Sequence, residues 1–280
     1  MAWLKPQRVD EALKWMNEYE PKIVCGGTDL FVNWQSRKRT ADAANWLDIQ
    51  GLQELKQIER TEEGLVLGAA VTASQLWQDE RAQCFPSLQQ AARIVGGWQI
   101  QNRASIGGNL ANASPAADMV VPLAACKAVI RVSSANGSRS IPISDFLLGP
   151  RTTALKPNEM ITSVLIPQAC LDVPQIFLRH DQRGATDISI VSVALIVKGS
   201  RDQVEWASAA VGAANPVPYT LPELEHQWKG GLNAGKLTAI AESYAAHSKP
   251  ITDVRASAKY RQAMVKVYVE RAAKALLGME

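Results

Sequence analysis

The chain has 280 residues, of which 47% are hydrophobic and 20% are charged. This composition is typical of a globular protein and excludes intrinsic disorder, and the length allows two domains. The 30 basic and 27 acidic residues leave a net charge of +3, and no basic run is interleaved with aromatic residues, which argues against a nucleic-acid-binding protein.

Targeting and metal-binding signals are both missing from the sequence. The N-terminus has no basic segment followed by an apolar core, and no apolar run reaches the roughly 18 residues of a membrane-spanning helix. We therefore expect a cytoplasmic protein without a membrane span. The four cysteines are far apart and form no Cys-x-x-Cys pair, and no two histidines are spaced as metal ligands, so we expect reduced thiols and no bound metal.

Hydrophobic periodicity predicts mixed helices and strands through residue 170. The first predicted elements are a helix that begins at Val9 and ends before Pro21, a strand at 22–25 and a helix-like segment to about Trp34. Strands at 46–49, 54–59 and 65–70 follow, and then helices at 72–78, 86–95 and 116–125. The last predicted elements of this part are strands at 128–132 and 140–143 around an Asn136-Gly137 hairpin, and a strand at 159–166.

The pattern changes around residues 170–174, where we place a domain boundary. Beyond it, the sequence predicts three strands at 176–179, 188–197 and 204–214, followed by helices at 221–228, 234–247 and 257–277. Residues 230–236 have the G-x-x-x-x-G-K spacing of a P-loop. However, Leu237 occupies the Ser/Thr position, and the segment before the motif is polar, so we predict a loop between helices.

The first glycine pair follows a predicted strand directly. At Gly26 and Gly27 the backbone can turn so that its N–H groups face an anion, as in known phosphate sites. The pattern is neither G-x-G-x-x-G nor a P-loop, and a structural connection between strand and helix also explains it.

A second run of small and polar residues extends from Arg103 to Asp118. Gly107 and Gly108 allow a ligand to approach the backbone closely. The polar residues of the run, which suit sugar hydroxyls or phosphate oxygens, are Ser105, Asn109, Asn112 and Ser114. We expect Asp118 in the first turn of a helix, where it either complements the helix dipole or binds a ribose. A surface loop leading into a helix accounts for the run equally well, but two glycine turns together could hold the pyrophosphate of one dinucleotide.

Three motifs resemble one known family. They are Ile-Val-Cys-Gly-Gly-Thr-Asp-Leu at 23–30, Gln-Ile-Gln-Asn-Arg-Ala-Ser-Ile-Gly-Gly-Asn at 99–109, and Tyr-Arg-x-x-Met-x-x-Val-x-x-x-Arg-Ala at 260–272. In this order they are similar to the FAD-binding (medium) subunit of the molybdenum hydroxylase family, which includes subunits of xanthine dehydrogenase and carbon monoxide dehydrogenase. The resemblance covers nearly the whole chain.

The resemblance implies an α+β fold. Residues 1–170 would form an FAD-binding domain of the vanillyl-alcohol oxidase (PCMH) type, in two α/β subdomains at about 1–53 and 54–170. Residues 171–280 would form a C-terminal domain with a three-stranded antiparallel sheet and a helix bundle.

Motif matching assigns site residues by the same resemblance. The first wall, along the pyrophosphate, would be Cys25, Gly26, Gly27, Thr28, Asp29 and Leu30. The second wall, along the phosphate and ribityl chain, would be Ser105, Ile106, Gly107, Gly108, Asn109 and Asn112. Asp118 would bind the adenosine ribose, and Ile161 would cover the adenine or flavin. A core residue of a β-strand is an equally compatible interpretation of Ile161. Arg179 stands where relatives have Lys beside the isoalloxazine, and a surface ion pair with Asp181 is the alternative.

The implied function is electron transfer by non-covalently bound FAD. In the family, a molybdopterin large subunit oxidises the substrate, and a small subunit with [2Fe–2S] clusters passes single electrons to FAD. The acceptor would be NAD⁺, a quinone or oxygen, and a xanthine or other purine would be the substrate of the complex. One alternative is a self-sufficient FAD oxidoreductase, and another is a nucleotide-binding module without redox activity.

Overall fold

The computed structural model describes residues 2–32, 45–184 and 186–279. A small parallel sheet in the order β1–β3–β2 forms its N-terminal part. The elements are β1 (Trp3–Leu4), α1 (Val9–Tyr19), β2 (Lys22–Val24) and β3 (Trp46–Asp48). Ala12 and Met16, one helical turn apart on α1, are buried in a core with Leu47, as the periodicity predicts.

The segment after the first glycine pair differs from the prediction. Residues 28–32 form turns instead of a helix, and the rest of the predicted helix, to Trp34, lies outside the described residues. The N–H of Phe31 donates to the carbonyl oxygen of Gly27 at 3.0 Å, which is a single helix-like hydrogen bond.

A five-stranded antiparallel sheet in the order β4–β5–β10–β6–β7 follows. The elements of this part are β4 (Ile58–Arg60), β5 (Gly64–Gly68), α2 (Ala73–Gln78), α3 (Pro86–Arg93), α4 (Trp98–Gln101), α5 (Ile106–Asn112), α6 (Val120–Ala125), β6 (Val129–Ser134), β7 (Gly137–Pro142), α7 (Ile143–Phe146), β8 (Leu147–Gly149), β9 (Thr152–Thr153) and β10 (Met160–Pro167). The hairpin predicted at Asn136-Gly137 joins β6 to β7, with Ser134 opposite Gly137. The central strand β10 carries Ile161.

Helix α6 begins later than the sequence predicts. Its first residue is Val120, so Asp118 lies in the preceding turn and not in the first helical turn. The carbonyl oxygen of Asp118 accepts the N–H of Val121 at 3.3 Å, which closes that turn. The dipole of α6 is therefore not the main interaction of the Asp118 carboxylate.

A four-stranded antiparallel sheet and three helices complete the chain. The elements are β11 (Gln175–His180), β12 (Val191–Gly199), β13 (Val204–Gly212), β14 (Tyr219–Thr220), α8 (Glu225–Trp228), α9 (Ala234–His247) and α10 (Ala258–Leu277). The two-residue strand β14 adds an edge to the predicted three-stranded sheet. Residues 230–233 of the P-loop-like run form the predicted loop, whereas residues 234–236 already belong to the first turn of α9.

Strand β12 is buried on both faces. Ala194 and Ile196 belong to the large core of the preceding sheet and helices. Val193 and Leu195, on the opposite face, pack in a second core with residues of α9 and α10. Because both faces are buried, the strand is apolar over most of its length, and it joins the two halves of the molecule.

Candidate cofactor site

A cavity of about 560 Å³ lies where the first sheet, the second sheet and the β11–β12 loop meet. Most of its lining residues fall within the segments 25–30, 104–118, 159–161 and 186–188. The volume is in the range that proteins use for cofactors and small ligands, about 300–1,000 Å³. The structure therefore brings both glycine turns to one cavity.

The first glycine turn offers unused backbone donors to the cavity. Gly27 has a φ of +72°, which turns the chain sharply after β2. In the described part of the chain, the N–H groups of Gly26, Gly27 and Thr28 donate to no protein acceptor, and all three residues line the cavity. Adjacent N–H groups of this kind form a site for an anion.

The second glycine pair has a different role. The N–H of Gly107 donates to the carbonyl oxygen of Ala69 at 2.9 Å, and that of Gly108 donates to Ser105 Oγ at 3.1 Å. A Cβ at Gly107 would lie 2.7 Å from atoms of Ala69. Gly107 therefore allows α5 to pack closely against the turn after β5, and the N–H groups of both glycines are already engaged within the protein.

Gly26 brings the two turns together. A Cβ at this position would lie 2.0 Å from the carbonyl oxygen of Arg103. The Arg103 Nε also donates to the carbonyl oxygen of Gly26 at 3.4 Å. The first glycine turn thus contacts the backbone segment that leads into the second glycine pair.

Asp118 and Arg179 form a buried ion pair beside the cavity. Asp118, 8% exposed, accepts hydrogen bonds from Ser189 Oγ at 2.5 Å and Arg179 Nη1 at 3.2 Å. Arg179 also pairs with Asp181 at 2.8 Å and donates to the carbonyl oxygen of Ile94 at 2.8 Å. Burial raises the pKa of the Asp118 carboxyl, whereas the Ser189 hydrogen bond and Arg179 oppose that rise.

All predicted site residues line the cavity except Ile106 and Arg179. Ile106 is fully buried in the large core, and its N–H donates to the carbonyl oxygen of Val71 at 2.9 Å. The Arg179 side chain is 4% exposed and does not reach the wall. Its ion pair with Asp181 is present but buried, and not at the surface. Ile161 is at once a core residue of β10 and a lining residue.

Two sequence families match the chain, one on each part. Residues 1–169 match the "FAD binding domain in molybdopterin dehydrogenase", and residues 177–276 match the "CO dehydrogenase flavoprotein C-terminal domain". The first match covers more than half of the chain. The chain belongs to this family.

Individual relatives align with this chain over almost their full length, which supports this membership. The glyceraldehyde dehydrogenase medium chain of Sulfolobus acidocaldarius is 31% identical over 98% of this chain and 97% of its own length. The xanthine dehydrogenase FAD-binding subunit of Escherichia coli O157:H7 is 31% identical over 92% of this chain and 91% of its own length. A solved structure of carbon monoxide dehydrogenase from Hydrogenophaga pseudoflava matches with a TM-score of 0.92 and 25% identity, covering 100% of this chain and 98% of that chain. The protein is thus an FAD subunit of the molybdenum hydroxylase family and an oxidoreductase subunit.

The unpaired polar atoms of the cavity suit FAD. Besides the three N–H groups of the first turn, Asn109 Oδ1 is buried and accepts no hydrogen bond within the described chain. A buried acceptor without a donor costs about 1–3 kcal/mol. FAD offers both missing partners, because its phosphate oxygens accept from N–H groups and its sugar and ribityl hydroxyls donate to an amide oxygen.

Sequence reasoning missed several lining residues of this FAD subunit. They are contributed by α3–α4, by the turn after β8 and by the β11–β12 loop, and include Val95, Gly96, Ile100, Arg151, Thr186 and Ile188. A weak signal existed for Arg151, since Gly149-Pro150 marks a turn. Nothing in the local sequence shows that this turn faces the cavity.

The remaining sequence predictions concern thiols, metals and membranes. The four cysteines form no disulfide. Burial raises the pKa of the Cys25 thiol at the cavity wall, and it raises the pKa of the Cys170 thiol to about 11. The described residues contain no group of His, Cys, Asp and Glu arranged to hold a metal ion. None of the described helices is both long and apolar enough to span a bilayer.

Proposed function

We propose that the cavity binds FAD non-covalently, with the pyrophosphate against the N–H groups of Gly26, Gly27 and Thr28. The proposed second wall, facing the phosphates and the ribityl chain, consists of Ser105, Gly107, Gly108, Asn109 and Asn112. Each carboxylate oxygen of Asp118 has a further lone pair, so we assign the adenosine ribose to this residue. In the same proposal, residues 1–170 form the FAD-binding domain, and residues 171–280 form a second domain that contributes the β11–β12 loop to the cavity.

We further propose that the chain works as an electron-transfer subunit. When bound, FAD supplies the capacity to accept electrons singly and to release them as a pair. The electrons would come from [2Fe–2S] clusters of a small subunit, in a complex whose molybdopterin subunit oxidises the substrate, and would pass to NAD⁺. The names of the relatives, as a medium chain and an FAD-binding subunit, support such a heteromeric complex.

The described residues of the cavity wall include no unpaired base, and this observation carries the proposal. Every carboxylate of the lining is held by an arginine in the described structure: Asp29 by Arg151, Asp118 by Arg179, Glu159 by Arg139 and Asp187 by Arg183. The described lining residues include no His, Lys or Tyr. These side chains can bind and orient a cofactor but are poorly suited to removing a proton from a substrate, which a self-sufficient oxidoreductase would require.

The relatives of this chain indicate which substrates of the complex to test. The motif resemblance favours a purine of the xanthine type, and the glyceraldehyde dehydrogenase medium chain, also 31% identical, favours an aldehyde. We therefore propose xanthine as the first substrate to test and a small aldehyde as the second.

Reconstitution of the full chain with FAD tests the proposal. We expect flavin absorbance bands to remain after gel filtration, and we expect no turnover of xanthine or aldehyde with NAD⁺ until the molybdopterin and [2Fe–2S] subunits are added. Loss of the bands would rule out the FAD site. Turnover by the chain alone, at the rate of the complex, would instead favour the self-sufficient enzyme.

A further inference from the structure

Arg151 connects the two walls of the cavity, although it belongs to neither glycine motif. It follows β8 in a turn, with a φ of +61°, and its N–H donates to the carbonyl oxygen of Ala113 at 2.9 Å. Its guanidinium Nη1 donates to Asp29 Oδ2 at 2.7 Å and also to Asn112 Oδ1. Asp29 lies next to the first glycine turn and Asn112 at the end of α5, so one side chain bridges both walls.

The guanidinium retains donors that the protein does not use. Within the described chain, Nε and Nη2 of Arg151 form no hydrogen bond to a protein group. The side chain is 42% exposed and lines the cavity. An anionic ligand in the cavity can therefore reach these donors.

Arg151 also differs from the other arginines that neutralise carboxylates of the cavity. Arg139, Arg179 and Arg183 approach Glu159, Asp118 and Asp187 from outside, and none of the three lines the cavity. Among the described lining residues, Arg151 is the one Lys or Arg. Among the residues that the structure describes, one side chain thus supplies the positive charge at the cavity wall.

We propose that Arg151 binds the pyrophosphate of FAD through its unused guanidinium donors while Asp29 holds the side chain in place. This inference rests on the proposed FAD site. The N–H groups of Gly26, Gly27 and Thr28 are dipoles that carry no net charge, so they leave the charge of the pyrophosphate uncompensated. A guanidinium supplies that charge together with a forked donor geometry that matches phosphate oxygens.

Titration of the full apo chain with FAD, at several NaCl concentrations, tests the inference in the wild type and four variants. We expect Arg151→Gln to raise the FAD dissociation constant about tenfold or more and to make it less dependent on salt, because a charge-assisted hydrogen bond is lost. Arg151→Lys keeps the charge without the fork, and we expect an intermediate dissociation constant with the salt dependence of the wild type.

Two further variants distinguish the effect of the positive charge of Arg151 from the effect of its hydrogen bonds to the two walls. Asp29→Asn removes the carboxylate charge but keeps an oxygen acceptor for Arg151, so FAD should bind as tightly as to the wild type or more tightly. Arg8→Gln is the matched control for the change of charge, because Arg8 pairs with Asp10, both side chains are 71% exposed and neither residue lines the cavity. It should leave both affinity and salt dependence unchanged.

The outcomes distinguish this inference from the function on which it rests. Wild-type affinity and salt dependence in Arg151→Gln would overturn the role of Arg151 while leaving the FAD site intact. An equal loss of affinity in Asp29→Asn and Arg151→Gln would also overturn it, because the bridge and not the cation would then matter. Failure of the wild type to bind FAD would instead refute the proposed function.

Discussion

The glycines of the site show how one residue type performs different tasks. At Gly26 the missing Cβ allows two backbone segments to touch, whereas at Gly107 it allows α5 to pack on Ala69. Gly27 supplies a left-handed turn. Only the first turn keeps N–H groups available for a ligand, so the two glycine pairs are not equivalent halves of the cavity.

Replacement of Gly26 by alanine should therefore disturb the site strongly. Its Cβ would collide with the carbonyl oxygen of Arg103, and the two backbones would have to separate. We expect FAD affinity to fall about tenfold or more and stability to fall by about 1–3 kcal/mol, the usual cost of overpacking. Fluorescence titration and thermal unfolding measure the two effects.

Gly51→Ala provides the control for this substitution. A Cβ at Gly51 meets no atom within 4 Å, and its backbone is not left-handed. Both FAD affinity and melting temperature should stay at the wild-type values. Equal behaviour of the two alanine variants would contradict the importance of the close approach at Gly26.

At the level of secondary-structure elements, the Asp118–Arg179 pair links the turn before α6 to strand β11. Ser189, which precedes β12, completes the connection. The carboxylate thus has a structural role in addition to its proposed contact with the ribose. For this reason, we expect substitution of Asp118 to affect the apo protein as well as FAD binding.

We expect Asp118→Asn to weaken FAD binding and to lower the unfolding free energy of the apo chain by about 1–3 kcal/mol, since a buried charged hydrogen bond is lost. Asp181→Asn is the matched control, because Asp181 also pairs with Arg179 but does not line the cavity. This control should lower stability without changing FAD affinity. Unchanged FAD affinity in Asp118→Asn would argue against the ribose contact.

At the scale of the whole molecule, contacts between strand β12 and the start of α10 connect the C-terminal helices to the four-stranded sheet. Arg261, 2% exposed, donates to the carbonyl oxygen of Ile190 at 2.6 Å and pairs with Asp253 at 2.8 Å. Burial alone would raise the pKa of Asp253, but hydrogen bonds from Arg255 and Arg261 hold it well below its usual value. Charged Asp253 therefore stabilises the fold.

This pair predicts a pH dependence of unfolding. Because the pKa of Asp253 is lowered in the folded state, its stabilisation is complete above the unfolded pKa of about 3.9 and is lost as the pH falls below it. Asp253→Asn should reduce the unfolding free energy at pH 7 and flatten its decrease between about pH 5 and pH 2. Denaturant titration across this range provides the measurement.

Asp202→Asn is the control for the pH series. Asp202 is exposed, and its side chain forms no hydrogen bond or ion pair in the described chain. It should retain the wild-type pH profile. A wild-type slope in Asp253→Asn as well would show that the ion pairs of Asp253 do not contribute to acid unfolding.

The sequence by itself determined the α+β class, most elements, the two glycine turns and membership in the family. Periodicity and turn chemistry depend on residues that are close in the chain, so a helix such as α1 or the hairpin at Asn136-Gly137 follows from local sequence. Of the site residues that motif matching assigned, all but Ile106 and Arg179 line the cavity. A helix over residues 28–32 and the position of Asp118 in the first turn of a helix were predicted incorrectly, since local propensity did not anticipate the turns there.

Only the tertiary structure decided how the site residues are paired. Arg151 meets Asp29 across 122 positions of sequence, and Arg179 is drawn into the interior by Asp118, 61 positions away. Likewise, the N–H of Gly107 donates to the carbonyl oxygen of Ala69, in the turn after β5. Such contacts depend on the packing of distant segments, and no local pattern encodes them, so the sequence could locate the cavity's walls but not the cation between them.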